Sequence, residues 1–231
     1  MASQWIDIAP GFAGYLALPP AGRGPGLVLF QEIFGVNAHI RAVAEQYAAD
    51  GFVVLAPDVF WREAPRVELG YEGAERQRAI QLMQAYVAAD ALADIAASVQ
   101  ALRARPEVAG EAVGAFGYCM GGRLAYLAAA TAGVDAASCF YGGGIHAQLE
   151  RARLVGCPIQ FHYAERDDNI PPAAVDAVRQ AFAGKAAEVF VYPGSTHGFN
   201  CWARAAYHAP SAALAHGRTL AFFAEKLFRE S

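Results

Sequence analysis

VGAFGYCMGGRLAYLAAA, residues 113–130, runs from an unbroken apolar segment through a glycine-flanked turn into a stretch rich in alanine and leucine. Consecutive apolar residues at 113–117 are what a strand covered on both faces requires. Gly117-Tyr118-Cys119-Met120-Gly121 then has the G-x-nucleophile-x-G spacing of a nucleophile elbow, with cysteine at the centre. Small residues on either side relieve crowding where a strand turns sharply into a helix. Such a turn lifts the central side chain to the carboxyl edge of the sheet, at a helix N-terminus whose dipole stabilises an anion. Alone, the pentapeptide fits equally well an ordinary strand–helix turn around an inert, buried cysteine.

Working outward, further strand candidates lie at 27–31 (LVLFQ), 52–56 (FVVLA), 137–141 (ASCFY), 159–163 (IQFHY) and 188–192 (EVFVY). Helical patterns fall near 38–49, 74–103, 122–132, 172–183 and 210–228. The alternation predicts an α/β fold, a mostly parallel central sheet with helices on both faces. Residues 5–8 and 14–18 suit an antiparallel edge hairpin, and 61–73 reads as irregular. No linker or internal repeat divides the chain, so residues 1–231 are expected to form a single domain.

Composition agrees with a compact fold: 55% of the 231 residues are hydrophobic and only 17% are charged. The longest stretches without a charged residue, 8–22 and 189–203, are 15 residues each and contain Gly and Pro, whereas a membrane span needs about 20 mainly apolar residues. A net charge of −4 gives no general attraction for nucleic acid or anionic membrane. Met1–Asp7 lacks a basic, then apolar, leader, and the expectation is a cytoplasmic protein. Cys119, Cys139, Cys157 and Cys201 form no CxxC pair and match no zinc spacing, so no metal site is expected. Cys139 and Cys157 read as small buried hydrophobes. No G-x-G-x-x-G opens the first parallel strand–helix turn, which argues against a dinucleotide fold.

The chemistry lies just beyond the strands. Asp167, in RDDNIP, follows the strand ending near 163, and His197, in STHGF, follows the strand ending near 192. Cys119, Asp167, His197 is the nucleophile–acid–base order of the α/β-hydrolases, and each residue falls at the carboxyl end of a separate strand. His197 would activate the Cys119 thiol, with Asp167 fixing the imidazole tautomer and stabilising its charge. Asp168 is the rival acid. The backbone N–H groups of Met120, directly after the nucleophile, and Ile33, after the first parallel strand, would form the oxyanion hole. Glu32, in QEIFGVN (31–37), faces the same edge. It is either a turn acid or a carboxylate that accepts the Cys119 S–H and holds the resting thiol unreactive.

QEIFGVN, GYCMGG (117–122), ERQR (75–78) and the late Asp and His together resemble the dienelactone hydrolase (carboxymethylenebutenolidase) family, and the likeness runs from about residue 26 to 228. The resemblance implies an α/β-hydrolase fold and a monomer that acts without metal or cofactor on a small anionic lactone or ester, opening dienelactone to maleylacetate in aromatic compound degradation. It implies a Cys119–His197–Asp167 triad with Glu32 as the resting partner of the thiol. It also implies an arginine for the substrate carboxylate, matched by Arg78 with Arg76 as local competitor, and a pocket tyrosine, matched by Tyr141. Two positions depart from the pattern. Cys201 stands where the family has a second arginine, with Arg204 three residues on, and Leu82 stands where dienelactone-specific members have tyrosine. Both departures leave open a thiol esterase or lactonase acting on a different ester or lactone.

Overall fold

The computed structural model describes residues 2–228. Its eight strands are β1 (Ser3–Ala9), β2 (Phe12–Ala17), β3 (Gly24–Phe30), β4 (Val53–Pro57), β5 (Val108–Tyr118), β6 (Ala136–Phe140), β7 (Ile159–Arg166) and β8 (Ala187–Thr196). They form one sheet in the order β1-β2-β4-β3-β5-β6-β7-β8. From β4 to β8 every neighbouring pair is parallel, and β1 and β2 add the antiparallel edge. Every residue of β3, β4 and β6 is buried, as expected of largely apolar strands covered on both faces, and the one polar residue, Ser138, hydrogen-bonds to Thr219 of the last helix at 3.2 Å.

The helices are α1 (Ala38–Ala49), α2 (Gly73–Ala85), α3 (Ala88–Arg103), α4 (Met120–Thr131), α5 (Pro172–Ala181) and α6 (Ala209–Leu227), with a 3₁₀ segment at Ile145–Leu154. Alternate residues of β5 show cover on both faces. Gly114 and Phe116 face Phe223 of α6, and Val113 lies with Leu102 of α3 against Gly26. This is the predicted α/β architecture.

The helical pattern near 74–103 is two helices, not one. Tyr86 and Val87 between them are extended, with ψ of 113° and 131°. The break follows from what each segment can bury. α3 places Ala91, Ile95, Val99 and Leu102 in the core, whereas α2 buries only Ala79 and Leu82. One straight rod could not seat the first and leave the second at the surface.

The elbow depends on close backbone approach. A Cβ added to Gly121 would lie on the carbonyl oxygens of Phe30 and Gln31, and one on Gly117 would lie against the carbonyls of Gly121 and Phe30. Backbone cannot yield as a flexible side chain would. Gly121→Ala is therefore expected to destabilise the protein by about 3 kcal/mol, read from urea unfolding midpoints. An unchanged midpoint would refute this account of the turn.

Candidate active site

The parallel register brings the predicted residues together. Phe30 of β3 pairs with Gly117 of β5, so two residues further on Glu32 runs beside Cys119. Tyr118 pairs with Phe140 of β6, which sets Tyr141 beside Cys119. Arg166 of β7 pairs with Thr196 of β8, and the next residues are Asp167 and His197.

Cys119 occupies the turn between β5 and α4 with φ +56° and ψ −116°, a conformation few non-glycine residues adopt. Its carbonyl accepts the N–H of Gly122 at 3.0 Å, which closes the turn. His197 Nδ1 lies 2.8 Å from Asp167 Oδ2, and the Asn169 N–H donates to the other carboxylate oxygen at 2.9 Å. Asp167 is buried and Asp168 exposed, so the histidine's partner is Asp167. Burial works against a charge on His197, but the hydrogen bonds to Asp167 and Cys119 and their negative charge outweigh it and raise its pKa to about 10. With Nδ1 taken by Asp167, Nε2 is the ring nitrogen left for the hydrogen bond with Cys119.

Glu32 is 1% exposed, and its Oε1 accepts a hydrogen bond from Arg204 Nη1 at 2.9 Å. The carboxylate expected to hold the resting thiol thus also engages an arginine, through one of its two oxygens. Burial pushes the Glu32 carboxyl above its ordinary range, against the opposing pull of Arg204 and His197. Arg204 reaches this place because Gly198, at φ +87°, has no side chain: a Cβ there would overlap Nη1. The guanidinium also lies 5.6 Å from the Phe34 ring centre and 5.7 Å from that of Tyr71. Cys201 itself is buried, and its thiol donates to the Tyr71 hydroxyl at 3.5 Å. Arg204 thus brings a guanidinium to the cleft from three residues beyond Cys201, a path that the sequence offset concealed.

These residues open onto a cleft of about 430 Å³, lined by Cys119, His197, Ile33, Met120, Asn169, Gly143 and Gly144, by Phe34, Ile80 and Met83, and by Arg76, Arg123 and Arg204. Met120 is the first residue of α4, so its N–H is one of the free donors of the first helical turn, and Ile33 lies on the same wall. The two residues expected to donate to an oxyanion thus line the same cleft as Cys119.

Arg78 does not line the cleft. It is exposed, 3.5 Å from the side chain of Gln81. Arg76, Ile80 and Met83 follow the i, i+4, i+7 spacing of one helix face, and two residues' rotation points Arg78 away from it. That stripe was present in the sequence and favoured the competitor. Leu82 is likewise turned into the core at 2% exposure, and Ile80 and Met83 form the wall. Tyr141 is fully buried and off the cleft wall. Its ring packs edge-on against His197 at 5.0 Å and against Phe199 at 5.3 Å, so it backs the imidazole. Arg123 is a cleft residue that the sequence did not single out, and Arg204 one that it named without placing.

A larger cavity of about 680 Å³, between β7, β8 and α6, contains none of these groups. Among the described residues no cluster of three or more His, Cys, Asp or Glu could hold a metal ion, and no single helix is long and apolar enough to cross a membrane.

The sequence model of the dienelactone hydrolase family matches residues 12–227. A putative carboxymethylenebutenolidase of Synechocystis sp. is 36% identical over 228 residues, covering 93% of this chain and 92% of its own length. A carboxymethylenebutenolidase of Pseudomonas sp. is 35% identical over 218 residues, covering 93% and 91%. The crystal structure of a putative dienelactone hydrolase from Klebsiella pneumoniae superposes with a TM-score of 0.85 at 29% identity, covering 97% of this chain and 98% of that one. With its elbow, its sheet order and a family match over nearly its whole length, the chain belongs to the dienelactone hydrolase family.

Proposed function

We propose that the protein hydrolyses a small carboxylated lactone, with dienelactone opened to maleylacetate as the reaction that fits best, by a Cys119–His197–Asp167 triad. The observation that carries this reading is the Asp167–His197 bond of 2.8 Å at the cleft that also contains Cys119. In the reaction, the Cys119 thiolate attacks the lactone carbonyl, and the N–H groups of Ile33 and Met120 receive the developing oxyanion. Collapse of the tetrahedral intermediate breaks the ring C–O bond, and His197 Nε2–H protonates the departing enol oxygen. Water, deprotonated by His197, then cleaves the thioester to release the new carboxylate and the free thiol. Arg204, already aligned by Glu32, and Arg76 hold the substrate carboxylate, since a guanidinium can donate two parallel hydrogen bonds to it.

The apolar wall of Phe34, Ile80 and Met83 supports a second reading, a thiol esterase for less polar esters. Steady-state rates on cis- and trans-dienelactone beside 4-nitrophenyl butyrate separate the two. The first reading requires a higher kcat/KM for the dienelactones, and equal or lower values would reject it. Arg76→Ala is expected to raise KM for the carboxylated lactones by about tenfold or more, while Arg78→Ala, at the surface, stays within about twofold of the wild type. The reverse ranking would return the carboxylate to Arg78.

A further inference from the structure

Beside the catalytic cleft lies a smaller cavity of about 160 Å³, lined by Tyr86, Arg123, Gln148 and Arg151 with Ala91, Leu92, Leu124 and Leu127. Arg123 belongs to both cavities and forms their common wall. It stands in the first turns of α4, four residues after the nucleophile, and an added Cβ on Gly144 would sit 3.1 Å from its Nη1. Among the described residues Arg123 enters no ion pair and no side-chain hydrogen bond. No carboxylate lines the smaller cavity. Its polar lining lacks partners: the Tyr86 hydroxyl and Arg151 Nε are buried without a hydrogen bond, and the ion pair of Arg151 with the exposed Glu150 is a long 3.7 Å. Two half-buried guanidinium groups and a buried hydroxyl donor around a space that small suit an oxyanion, because a buried donor atom left unmatched is costly.

The position relative to the first cationic group matters. Arg76 and Met83 lie on one face of α2, seven residues apart, which spans about 10 Å of helix. Arg76 marks one end of the cleft, and Tyr86 follows Met83 towards the other; burial and the charge of Asp94 push its hydroxyl pKa up, against the weaker pull of Arg62 and Arg123. Cationic groups thus stand at both ends of the α2 wall, with the nucleophile on the same cleft.

We propose that Arg123, Arg151 and the Tyr86 hydroxyl form a second anion subsite, and that the preferred substrates are esters or lactones bearing two acidic groups, one held at Arg76 and Arg204 and the other at Arg123. This deepens the hydrolase reading and rests on it for the reacting centre, though the subsite can be tested without turnover. Adipate and hexanoate have the same chain length and differ by one carboxylate. Titration calorimetry on the wild type should show adipate binding about tenfold or more tighter than hexanoate. In Arg123→Gln the ratio should fall to about twofold or less, and Arg151→Gln, on the far wall, should lower it too and serves as the test should Arg123→Gln fail to fold. Equal binding of the two acids by the wild type, or an undiminished ratio in the folded variants, overturns the subsite. Dienelactone turnover, read on the same preparations, separates the two claims. Turnover without an adipate preference removes the second subsite alone, whereas an adipate preference in a protein that opens no lactone keeps the subsite and removes the hydrolase reading.

Discussion

Alanine in place of Cys119 is expected to lower lactone turnover by about 10⁴-fold or more, and to remove the one thiol that iodoacetamide modifies rapidly. The size follows from what is lost. Without sulfur no covalent intermediate forms, and only binding and the two backbone donors remain to assist attack by water. The backbone penalty at φ +56° is nearly the same for alanine as for cysteine, so the folded protein should persist and the loss is chemical. Labelling gives a readout independent of the substrate. Cys139 and Cys201 are buried, and burial raises the Cys157 thiol to about 11, which leaves little thiolate there at neutral pH. Rapid labelling should therefore report Cys119 alone. If Cys119→Ala retained a tenth of wild-type turnover, or labelled as fast as the wild type, the nucleophile would be elsewhere.

Asp167→Asn should reduce kcat by about 10⁴-fold while leaving substrate binding nearly intact. The amide can present its N–H to Nδ1 and so favour the wrong imidazole tautomer, and it carries no charge to stabilise the imidazolium. Asp168→Asn, one residue away and exposed, should stay within about twofold of the wild type. A pH signature accompanies the loss. The folded pKa of His197 is raised to about 10 from an unfolded value near 6.5, despite burial, by Asp167 and Cys119. The protonated ring therefore stabilises the fold fully below about pH 6.5, and this contribution fades as pH rises through about 10. The Tm advantage of wild type over Asp167→Asn should be present at pH 7 and should narrow by pH 10.5. A gap that widened over that range would mean that the carboxylate does not support the imidazolium.

Much of the site was legible because its parts are short-range. Each of Cys119, Asp167 and His197 follows a strand within a few residues, and a parallel sheet carries all such positions to one edge, whatever the intervening helices do. The pairings Phe30–Gly117 and Arg166–Thr196 then need only equal steps forward to bring Glu32 to Cys119 and Asp167 to His197. The arginines were harder for the opposite reason. Choosing Arg76 over Arg78 needs the rotational phase of α2, which the Ile80 and Met83 stripe carried but the family motif obscured. Placing Arg204 needs the course of a turn whose key residue is Gly198. The partner of Glu32 and the burial of Tyr141 depend on side chains drawn from distant parts of the chain.

The sequence by itself determined the layered architecture and the sheet edge on which Cys119, Asp167 and His197 fall, because hydrophobic runs and glycine spacing act over a few residues. Only the tertiary structure decided Asp167 over Asp168, the hold of Arg204 on Glu32, and the three guanidinium groups that face the cleft. A long side chain's direction is set by helix phase, by the room a neighbouring glycine leaves, and by the charges it meets, and those are known only once the elements have packed.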